Sequence, residues 1–485
     1  MKSPTTYTLL MVILWLFMSW ALLLRPIDDV DMFTQIKLGE LILDQGRLIT
    51  HDPFTYTLSA VKIPTVGWLA QVIFAWLYRC FSLHGVQIVH ALLYSSAFVI
   101  AGISASLNSA TRSVDINLFS LGAAVLLGFL VSFTNSSVRP QSFAVFCFAF
   151  LLYVAQSDWR LRIKLLALVP TLLIWQNTHP SVMIGALAMG VLVFARWIRN
   201  FTKSDIAKPW DISLLLIIAV LAQLSTPLGW HIFDISTKNA QASREWLGIT
   251  EWLPPWHESV RDAILIFWIA LTLSLCLVIK LRNKLRLGDT VLFILFTLLT
   301  FYAARFAVFW ALSMVPIWAI WIEEAKPVNL FSWRGDLPIS KWILVVTFVI
   351  GISIVSFLVH TMRPSIIDQK TIPAQGIAIL KSVLARGRIY NYPVWGGPLI
   401  FAGYPQWHVT VDGRLYLYEK TFWIDYFKAA QGKIPLQELV KQHQPDAFFL
   451  HPRFHQQLIE ILGHSQNWCK LYSDAQCIIF LPCTK

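Results

Sequence analysis

The chain begins with the segment YTLLMVILWLFMSWALLL, residues 7–24, which runs directly into RPIDDVD, residues 25–31. The first segment holds 18 uncharged, mostly apolar residues, enough for a helix to cross a bilayer. No small-residue cleavage site follows it, so we interpret it as a retained membrane span rather than a removed signal peptide. The second segment puts Asp28, Asp29 and Asp31 at the membrane boundary, where ionised groups are costly unless they have partners or a function. This placement predicts an active site at one face of a membrane.

The composition of the whole chain is that of a polytopic α-helical membrane protein. Of 485 residues, 56% are hydrophobic and 14% are charged, and the chain contains 22 Trp and 32 Phe. The mean hydropathy is +0.60. Soluble globular proteins carry far more charge and fewer aromatic residues.

The net charge of +12 does not indicate nucleic-acid binding, because the basic residues lie in short connections between apolar runs. Such an excess normally records the cytoplasmic side of the membrane. We therefore expect no nucleic-acid partner and place four clusters inside: Arg160, Arg162, Lys164; Arg196, Arg199, Lys203, Lys208; Lys280, Arg282, Lys284, Arg286; and Lys326, Arg334, Lys341.

The apolar runs predict about eleven spans with the N-terminus in the cytoplasm. They cover residues 7–24, 86–106, 116–133, 141–157, 163–178, 181–198, 211–227, 262–281, 289–302, 304–322 and 341–360. Residues 67–82 are also apolar, but the run is short and carries Gln71 and Arg79, and counting it as a span would invert every later loop against the positive charge. We therefore interpret it as an interfacial helix on the outer face. The outer segments are then the first external loop, 25–66, followed by 134–141, 178–180, 228–261, a turn near Arg305 and everything after 360.

After the membrane domain of residues 1–360, residues 361–485 are predicted to form a small α/β domain on the extracytoplasmic side. Helix-like runs cover 436–443 and 456–462, and strand-like runs cover 409–411, 447–450, 468–472 and 477–481. Asp412 and Arg414 flank Gly413, and we expect them to form a local salt bridge or turn, with acceptor binding as the alternative.

Three cysteines, Cys469, Cys477 and Cys483, lie in this tail, where an oxidising compartment permits a disulfide. Cys469 and Cys477 are placed to bridge two hairpin strands, although spacing does not fix the connectivity. His451 and His455 have the i, i+4 spacing of a metal-binding pair, but no acidic third ligand is evident. The tail is therefore not predicted to hold a metal.

A series of short motifs runs in a fixed order through the chain. They are Asp29 and Asp31; Ile36-Lys37-Leu38-Gly39-Glu40; Gly46; Asp52-Pro53-Phe54-Thr55-Tyr56; Trp68-Leu69-Ala70; Arg139-Pro140-Gln141; Asn177 with His179; Thr226-Pro227-Leu228-Gly229-Trp230; Glu251-Trp252; Arg305; Trp395-Gly396-Gly397; and Val411-Asp412-Gly413-Arg414. The series resembles bacterial membrane glycosyltransferases of the GT-C class, relatives of the protein O-mannosyltransferases and the aminoarabinose transferases that modify lipid A. The later motifs resemble a poorly characterised branch of that class.

The resemblance implies an inverting glycosyltransferase of the bacterial inner membrane that moves a sugar from a polyprenyl phosphate to a glycan, lipid or protein acceptor on the external face. It assigns the role of general base, or of orienting the acceptor, to Asp29 or Asp31. Sugar transfer needs a carboxylate near the acceptor hydroxyl and cations near the leaving phosphate. No cofactor is expected. The alternatives are a solvated acidic loop, or a divalent cation held by Asp29, Asp31 and Asp52, since hard cations bind carboxylate oxygens.

Five further residues are candidates for substrate binding: Asp52, Arg139, His179, Glu251 and Arg305. The two arginines lie at outer ends of apolar runs and suit the leaving phosphate, although snorkelling from a helix end is the alternative. His179 is either a contact to sugar hydroxyls or an ordinary interfacial residue. Glu251 lies in a Trp-rich segment that either closes over the donor or forms an interfacial aromatic belt.

The ionisable candidates gather at the outer boundary rather than in the middle of spans, which favours transfer at a membrane face over transport. A second class of function stays open, in which the chain is a non-catalytic scaffold or assembly subunit of a cell-envelope complex. Partner membrane proteins would then bind through the C-terminal domain.

Overall fold

A computed structural model describes residues 4–59, 61–110, 114–202, 209–325 and 365–483. The predicted last span, 341–360, lies outside these residues, as do the predicted cytoplasmic residues Lys203, Lys208, Lys326, Arg334 and Lys341. Most of the described chain is helical, and a small sheet lies near its C-terminus.

The helices before residue 326 are α1 Pro4–Leu23, α2 Asp31–Gln45, α3 Trp68–Ala110, α4 Leu118–Ser132, α5 Gln141–Gln156, α6 Leu161–Thr178, α7 Val182–Phe201, α8 Trp210–Ala222, α9 His231–Gln241, α10 Glu258–Arg261, α11 Leu265–Lys280, α12 Leu287–Tyr302 and α13 Ala307–Ala325. Within the described residues, five helical stretches are long and apolar enough to cross a membrane, namely Thr6–Leu23, Trp68–Asn108, Leu118–Asn135, Val182–Phe201 and Ala304–Ala325.

The predicted count of about eleven spans is not confirmed. Helices α5, α8, α11 and α12 occupy four of the predicted runs but have only 13 to 16 residues each. A typical span needs roughly 20 residues. An apolar run in the sequence therefore marks a helix more reliably than it marks a complete crossing.

Helix α3 contains the segment predicted as an interfacial helix. Its backbone leaves helical geometry at Ser82, with φ 60° and ψ −162°, which separates residues 68–81 from 83–110. A positive φ is uncommon for a residue with a side chain and interrupts a regular helix. The first part of α3 packs closely on α2, where a Cβ added to Gly39 would lie 1.9 Å from the Gln71 carbonyl oxygen.

Helix α13 lies at the centre of the helical part. All its residues from 307 to 321 are buried, as expected for a helix that is apolar on every side. The indole of Trp318 donates a 2.8 Å hydrogen bond to Ser274 of α11, and that of Trp310 donates a 3.0 Å hydrogen bond to Thr297 of α12. These bonds satisfy polar groups that would otherwise be costly in the core.

The C-terminal sheet contains strands β1 Gly387–Asn391, β2 Trp407–Val409, β3 Ala447–Leu450, β4 Trp468–Ser473 and β5 Ile478–Pro482, in the order β2-β1-β3-β5-β4. Strand β1 pairs in parallel with β2 and β3, whereas β5 pairs antiparallel with β3 and β4. The accompanying helices are Ala374–Val383, Gly396–Gly403, Lys420–Ala430, Leu436–His443 and Gln456–Gly463. The strands and helices predicted in the tail are present, although the strand predicted at 409–411 lies two residues earlier. Strand β1 and the helices Ala374–Val383, Gly396–Gly403 and Lys420–Ala430 were not predicted.

The disulfide joins Cys469 to Cys483, with a Cα–Cα distance of 5.0 Å, and not to Cys477, the pairing that the sequence offered without fixing it. Register explains the difference. Cys469 pairs with Leu481 across the hairpin, which brings residue 483 near it, whereas Cys477 lies in the turn and donates its backbone N–H to Asp474. Cys477 is buried and free.

The C-terminal domain packs directly on the first external loop. Ile27 donates a 2.9 Å backbone hydrogen bond to Ile366, and Thr55 pairs in parallel with Val409 at the edge of the sheet. Buried side chains of α2, α3 and the sheet form one continuous hydrophobic core. The loop that carries the acidic residues is therefore held between the helical part and the C-terminal domain.

Candidate active site

A cavity of about 570 Å³ lies where α2, α5, the α6–α7 turn, α9 and the C-terminal domain meet. Six of the seven predicted site residues line it: Asp29, Asp31, Arg139, His179, Glu251 and Arg305. They come from segments that the predicted topology places on one face of the membrane. Asp52 does not line the cavity.

Asp29 is a structural carboxylate whose acceptor positions are taken. Its Oδ1 accepts hydrogen bonds from the backbone N–H groups of Asp31, at 2.8 Å, and Met32, at 3.1 Å. Carboxylates at this position satisfy free N–H groups and stabilise the helix dipole. Its Oδ2 pairs with Arg139, and the side chain is only 1% exposed.

Asp31 is the first residue of α2, and unlike the Asp29 carboxylate its own carboxylate is not engaged in hydrogen bonds within the described part of the chain. Its side chain is exposed within the cavity, and its carboxylate has no hydrogen-bond or ion-pair partner among the described residues. Burial of the cavity within the protein, followed by the nearby carboxylates of Asp412 and Glu251, raises the pKa of Asp31 to about 7. Asp31 is therefore the carboxylate that is free to exchange a proton near neutral pH.

Arg139 and Arg305 are joined by Glu251. The Glu251 carboxylate accepts a hydrogen bond from Arg139 and lies 3.5 Å from the Arg305 guanidinium. The Arg305 guanidinium also stacks over the Trp252 ring at 4.2 Å. The two arginines counter the burial of Glu251 and lower its pKa to about 2, so Glu251 is ionised at neutral pH. The predicted phosphate-binding arginines thus lie together, bridged by an anion.

His179 ends α6 and faces the same cavity. Its Nδ1 lies 2.8 Å from the hydroxyl of Ser181. Burial and the positive charge of Arg305 lower the pKa of His179 to about 3, so its ring is neutral at physiological pH. A neutral imidazole beside a hydroxyl can exchange hydrogen bonds with a sugar but does not add a cation to the phosphate region.

The predicted role of Asp52 in substrate or metal binding is not supported by its position. Its side chain is fully buried, accepts hydrogen bonds from Thr55 and lies 2.5 Å from the Arg414 guanidinium. The three carboxylates considered as ligands of one divalent cation, those of Asp29, Asp31 and Asp52, therefore do not lie together in the cavity. No group of three His, Cys, Asp or Glu side chains within the described residues is arranged for a metal.

The sequence alone offers a binding role for Asp412 and Arg414 only as an alternative, and does not indicate how far the C-terminal domain contributes to the cavity. Gly413, Arg414, Leu415 and Tyr416 line it, together with polar residues of α9 such as Asn239. The expected local salt bridge between Asp412 and Arg414 is confirmed. The Val411-Asp412-Gly413-Arg414 motif was a signal for a turn, but only the fold brings this turn to Asp31.

No protein-family model matches the chain, and no curated protein matches it in sequence. Solved structures do match. The archaeal oligosaccharyltransferase AglB from Archaeoglobus fulgidus, in complex with an inhibitory peptide and a dolichol-phosphate, has 10% identity and a TM-score of 0.58 over 97% of this chain and 74% of that chain. ArnT from Cupriavidus metallidurans, bound to undecaprenyl phosphate, has 14% identity and a TM-score of 0.54 over 99% of this chain and 98% of that chain. The chain has the GT-C fold.

A third structure gives the same result: the apo Archaeoglobus fulgidus oligosaccharyltransferase, with 11% identity and a TM-score of 0.55, over 92% of this chain and 69% of that chain. The GT-C resemblance predicted from the motifs is thereby confirmed at the level of fold. A fold does not define a reaction, so the chemistry has to be argued from the cavity.

Proposed function

We propose that this GT-C protein is a membrane glycosyltransferase that moves a sugar from a polyprenyl phosphate to a hydroxyl-bearing glycan, lipid or protein on the external face of a bacterial inner membrane. The observation that carries the proposal is the cavity itself. It combines one free carboxylate, Asp31, with two guanidinium groups, those of Arg139 and Arg305. The ligands bound in the similar structures, dolichol-phosphate and undecaprenyl phosphate, support a lipid phosphate as donor.

In the proposed reaction, Asp31 accepts the proton of the acceptor hydroxyl as its oxygen attacks the anomeric carbon of the donor sugar. The bond between that carbon and the phosphate oxygen breaks, and the polyprenyl phosphate leaves with the electron pair. A single displacement of this kind inverts the anomeric centre. Asp29 does not compete for the role, since its oxygens are held by the start of α2 and by Arg139.

The arginines would stabilise the charge that develops on the leaving phosphate. Arg139 is 33% exposed and Arg305 is 16% exposed, so both remain accessible from the cavity. Glu251 currently bridges them, and an incoming phosphate would take its place or share its partners. His179 and Ser181, neutral and adjacent, are suited to sugar hydroxyls.

The proposal is tested in cells by comparing the wild-type chain, a deletion and the Asp31→Asn variant at matched membrane levels. Asp31→Asn is expected to reproduce the deletion, with an unmodified acceptor and accumulated polyprenyl-phosphate sugar in the lipid extract. Asp28→Asn is the matched control, because Asp28 pairs with Arg25 and does not line the cavity. Normal glycan and lipid profiles in Asp31→Asn cells would reject the proposed chemistry.

One observation favours the second candidate, a non-catalytic scaffold: Asp29 and Glu251 already pair with Arg139, so part of the cavity's charge is neutralised internally. A scaffold predicts that the deletion has a phenotype while cavity variants have none. It also predicts that the C-terminal domain retains a partner protein when Asp31 is replaced. Co-purification from Asp31→Asn cells with normal profiles would support this alternative.

A further inference from the structure

A loop of the C-terminal domain, the tail loop of residues 411–416, forms one wall of the cavity. Its Gly413 lies so close to Asp31 that a Cβ added at residue 413 would be 1.7 Å from Asp31 Oδ1. The φ of Gly413 is not in the left-handed region, so the contact requires glycine for its lack of a side chain.

Two more glycines bring the tail loop and the acidic turn together. A Cβ on Gly396 would lie 2.3 Å from the carbonyl oxygen of Val411, and one on Gly397 would lie 2.2 Å from that of Val30. The helix Gly396–Gly403 is therefore wedged between the tail loop and the start of α2. Such close backbone contacts leave little freedom for either segment.

A buried ion cluster anchors the tail loop to the first external loop. Arg414 Nε donates to the two oxygens of Asp412 at 3.1 and 3.0 Å, and its terminal nitrogen lies 2.5 Å from Asp52. The three side chains are 4% exposed or less. Buried charges are costly unless they have partners of opposite charge, and here Arg414 is the partner of both carboxylates. Asp52 is buried because it pairs with Arg414 in this cluster, and no substrate role is needed to explain its position.

We propose that the tail loop positions Asp31: the cluster of Asp412, Arg414 and Asp52 holds the Gly413 backbone against the Asp31 carboxylate, so that the C-terminal domain sets where this carboxylate lies in the cavity. This inference rests on the proposed function only in the role of Asp31 as a general base. Gly413 and Arg414 are then positioning residues.

The charges around Asp31 agree with this arrangement. After burial, the Asp412 carboxylate is the largest contributor to the raised pKa of Asp31, ahead of Glu251. A displaced Asp31 would lose this like-charged neighbour, and its pKa would fall. The other charged or titratable side chains that line the cavity are Asp29, Arg139, His179, Tyr302, Arg305, Arg414 and Tyr416.

Carboxyl labelling of the purified full-length chain in detergent tests the proposal. A water-soluble carbodiimide activates protonated carboxyl groups, an added amine converts the adduct to an amide, and peptide mass spectrometry reads the yield at Asp31 across a pH series. In the wild-type chain the yield is expected to fall by half near pH 7. In Gly413→Ala and in Arg414→Lys this midpoint is expected to be lower by about one pH unit or more, since both variants keep the Asp412 charge and change only the position of the tail loop.

Gly463→Ala is the matched control, because it makes the same substitution in the same domain with no atom within 4 Å of the new methyl group. Its labelling profile is expected to equal that of the wild type. If Gly413→Ala does not fold, Arg414→Lys keeps the test, since lysine retains the positive charge but cannot bridge Asp412 and Asp52 as the guanidinium group does. A wild-type labelling midpoint in a folded Gly413→Ala or Arg414→Lys variant would overturn the proposal.

The labelling does not depend on transfer activity, so the two proposals fail separately. If Asp31→Asn abolishes transfer while the tail-loop variants label as wild type, positioning is rejected and the proposed function stands. If the labelling midpoint moves as expected while Asp31→Asn transfers normally, positioning stands and the role of Asp31 as a base is rejected.

Discussion

Replacement of Glu251 by Gln should tighten the binding of a polyprenyl phosphate. Glu251 holds Arg139 and Arg305 together and is ionised at neutral pH, with a pKa of about 2. A donor phosphate that uses both guanidinium groups has to compete with this carboxylate. Gln keeps the shape of the side chain but removes the charge, and so removes the competitor.

The magnitude follows from the contacts that the phosphate would replace. One charge-assisted hydrogen bond, from Arg139, is lost when Glu251 is displaced, and such bonds contribute about 1.5–3 kcal/mol. Arg305 adds less, because its guanidinium lies 3.5 Å from the carboxylate. In the Glu251→Gln variant the phosphate does not have to displace this charged hydrogen bond, so the dissociation constant for the polyprenyl phosphate should fall by about 10- to 100-fold.

Native mass spectrometry of the purified chain with undecaprenyl phosphate provides the dissociation constants. Glu245→Gln is the control, since Glu245 is an exposed acid in the same segment between α9 and α10 and does not line the cavity. Its affinity should equal that of the wild type. Unchanged or weaker binding in Glu251→Gln would refute the competition argument and the assignment of both arginines to the phosphate.

Three further predictions concern the base, the helix packing and the disulfide. Transfer rates should rise as the pH increases through about 7, because Asp31 must be ionised to accept a proton; initial rates across the pH range check this. Gly39→Ala should lower the free energy of unfolding by about 1–3 kcal/mol, read from denaturation in detergent, because its methyl group would lie 1.9 Å from the Gln71 carbonyl. Peptide mapping without reduction should find Cys469 linked to Cys483, and reduction should cost about 3 kcal/mol for a loop of this length.

Each of these predictions has an outcome that contradicts it. A transfer rate that falls between pH 6 and 8 would argue against a carboxylate base. Gly463→Ala serves as the control for helix packing, and equal stability of the two alanine variants would contradict the close contact of α2 with α3. A peptide linking Cys469 to Cys477 would contradict the hairpin register.

The sequence was sufficient for the membrane class, the GT-C resemblance and most elements of the C-terminal domain. These properties depend on local composition and on periodicity, and both can be determined from neighbouring residues in the sequence. The sequence also predicted six of the side chains that line the cavity, because residues at the outer ends of apolar runs share one face in the predicted topology. Apolar runs did not determine how many helices are long enough to cross, since helix ends depend on neighbours as well as on composition.

The tertiary structure alone separated residues that look equivalent in the sequence. Asp29 and Asp31 are two positions apart, yet Asp29 accepts backbone hydrogen bonds from the first residues of α2 and pairs with Arg139, while the Asp31 carboxylate faces the cavity without a partner among the described residues. Asp52 belongs to the same acidic loop but is neutralised by Arg414, more than 300 residues later in the chain. Whether a carboxylate is free, capped or paired depends on burial and on which distant cation the fold brings to it, and neither is encoded in the spacing of the residues.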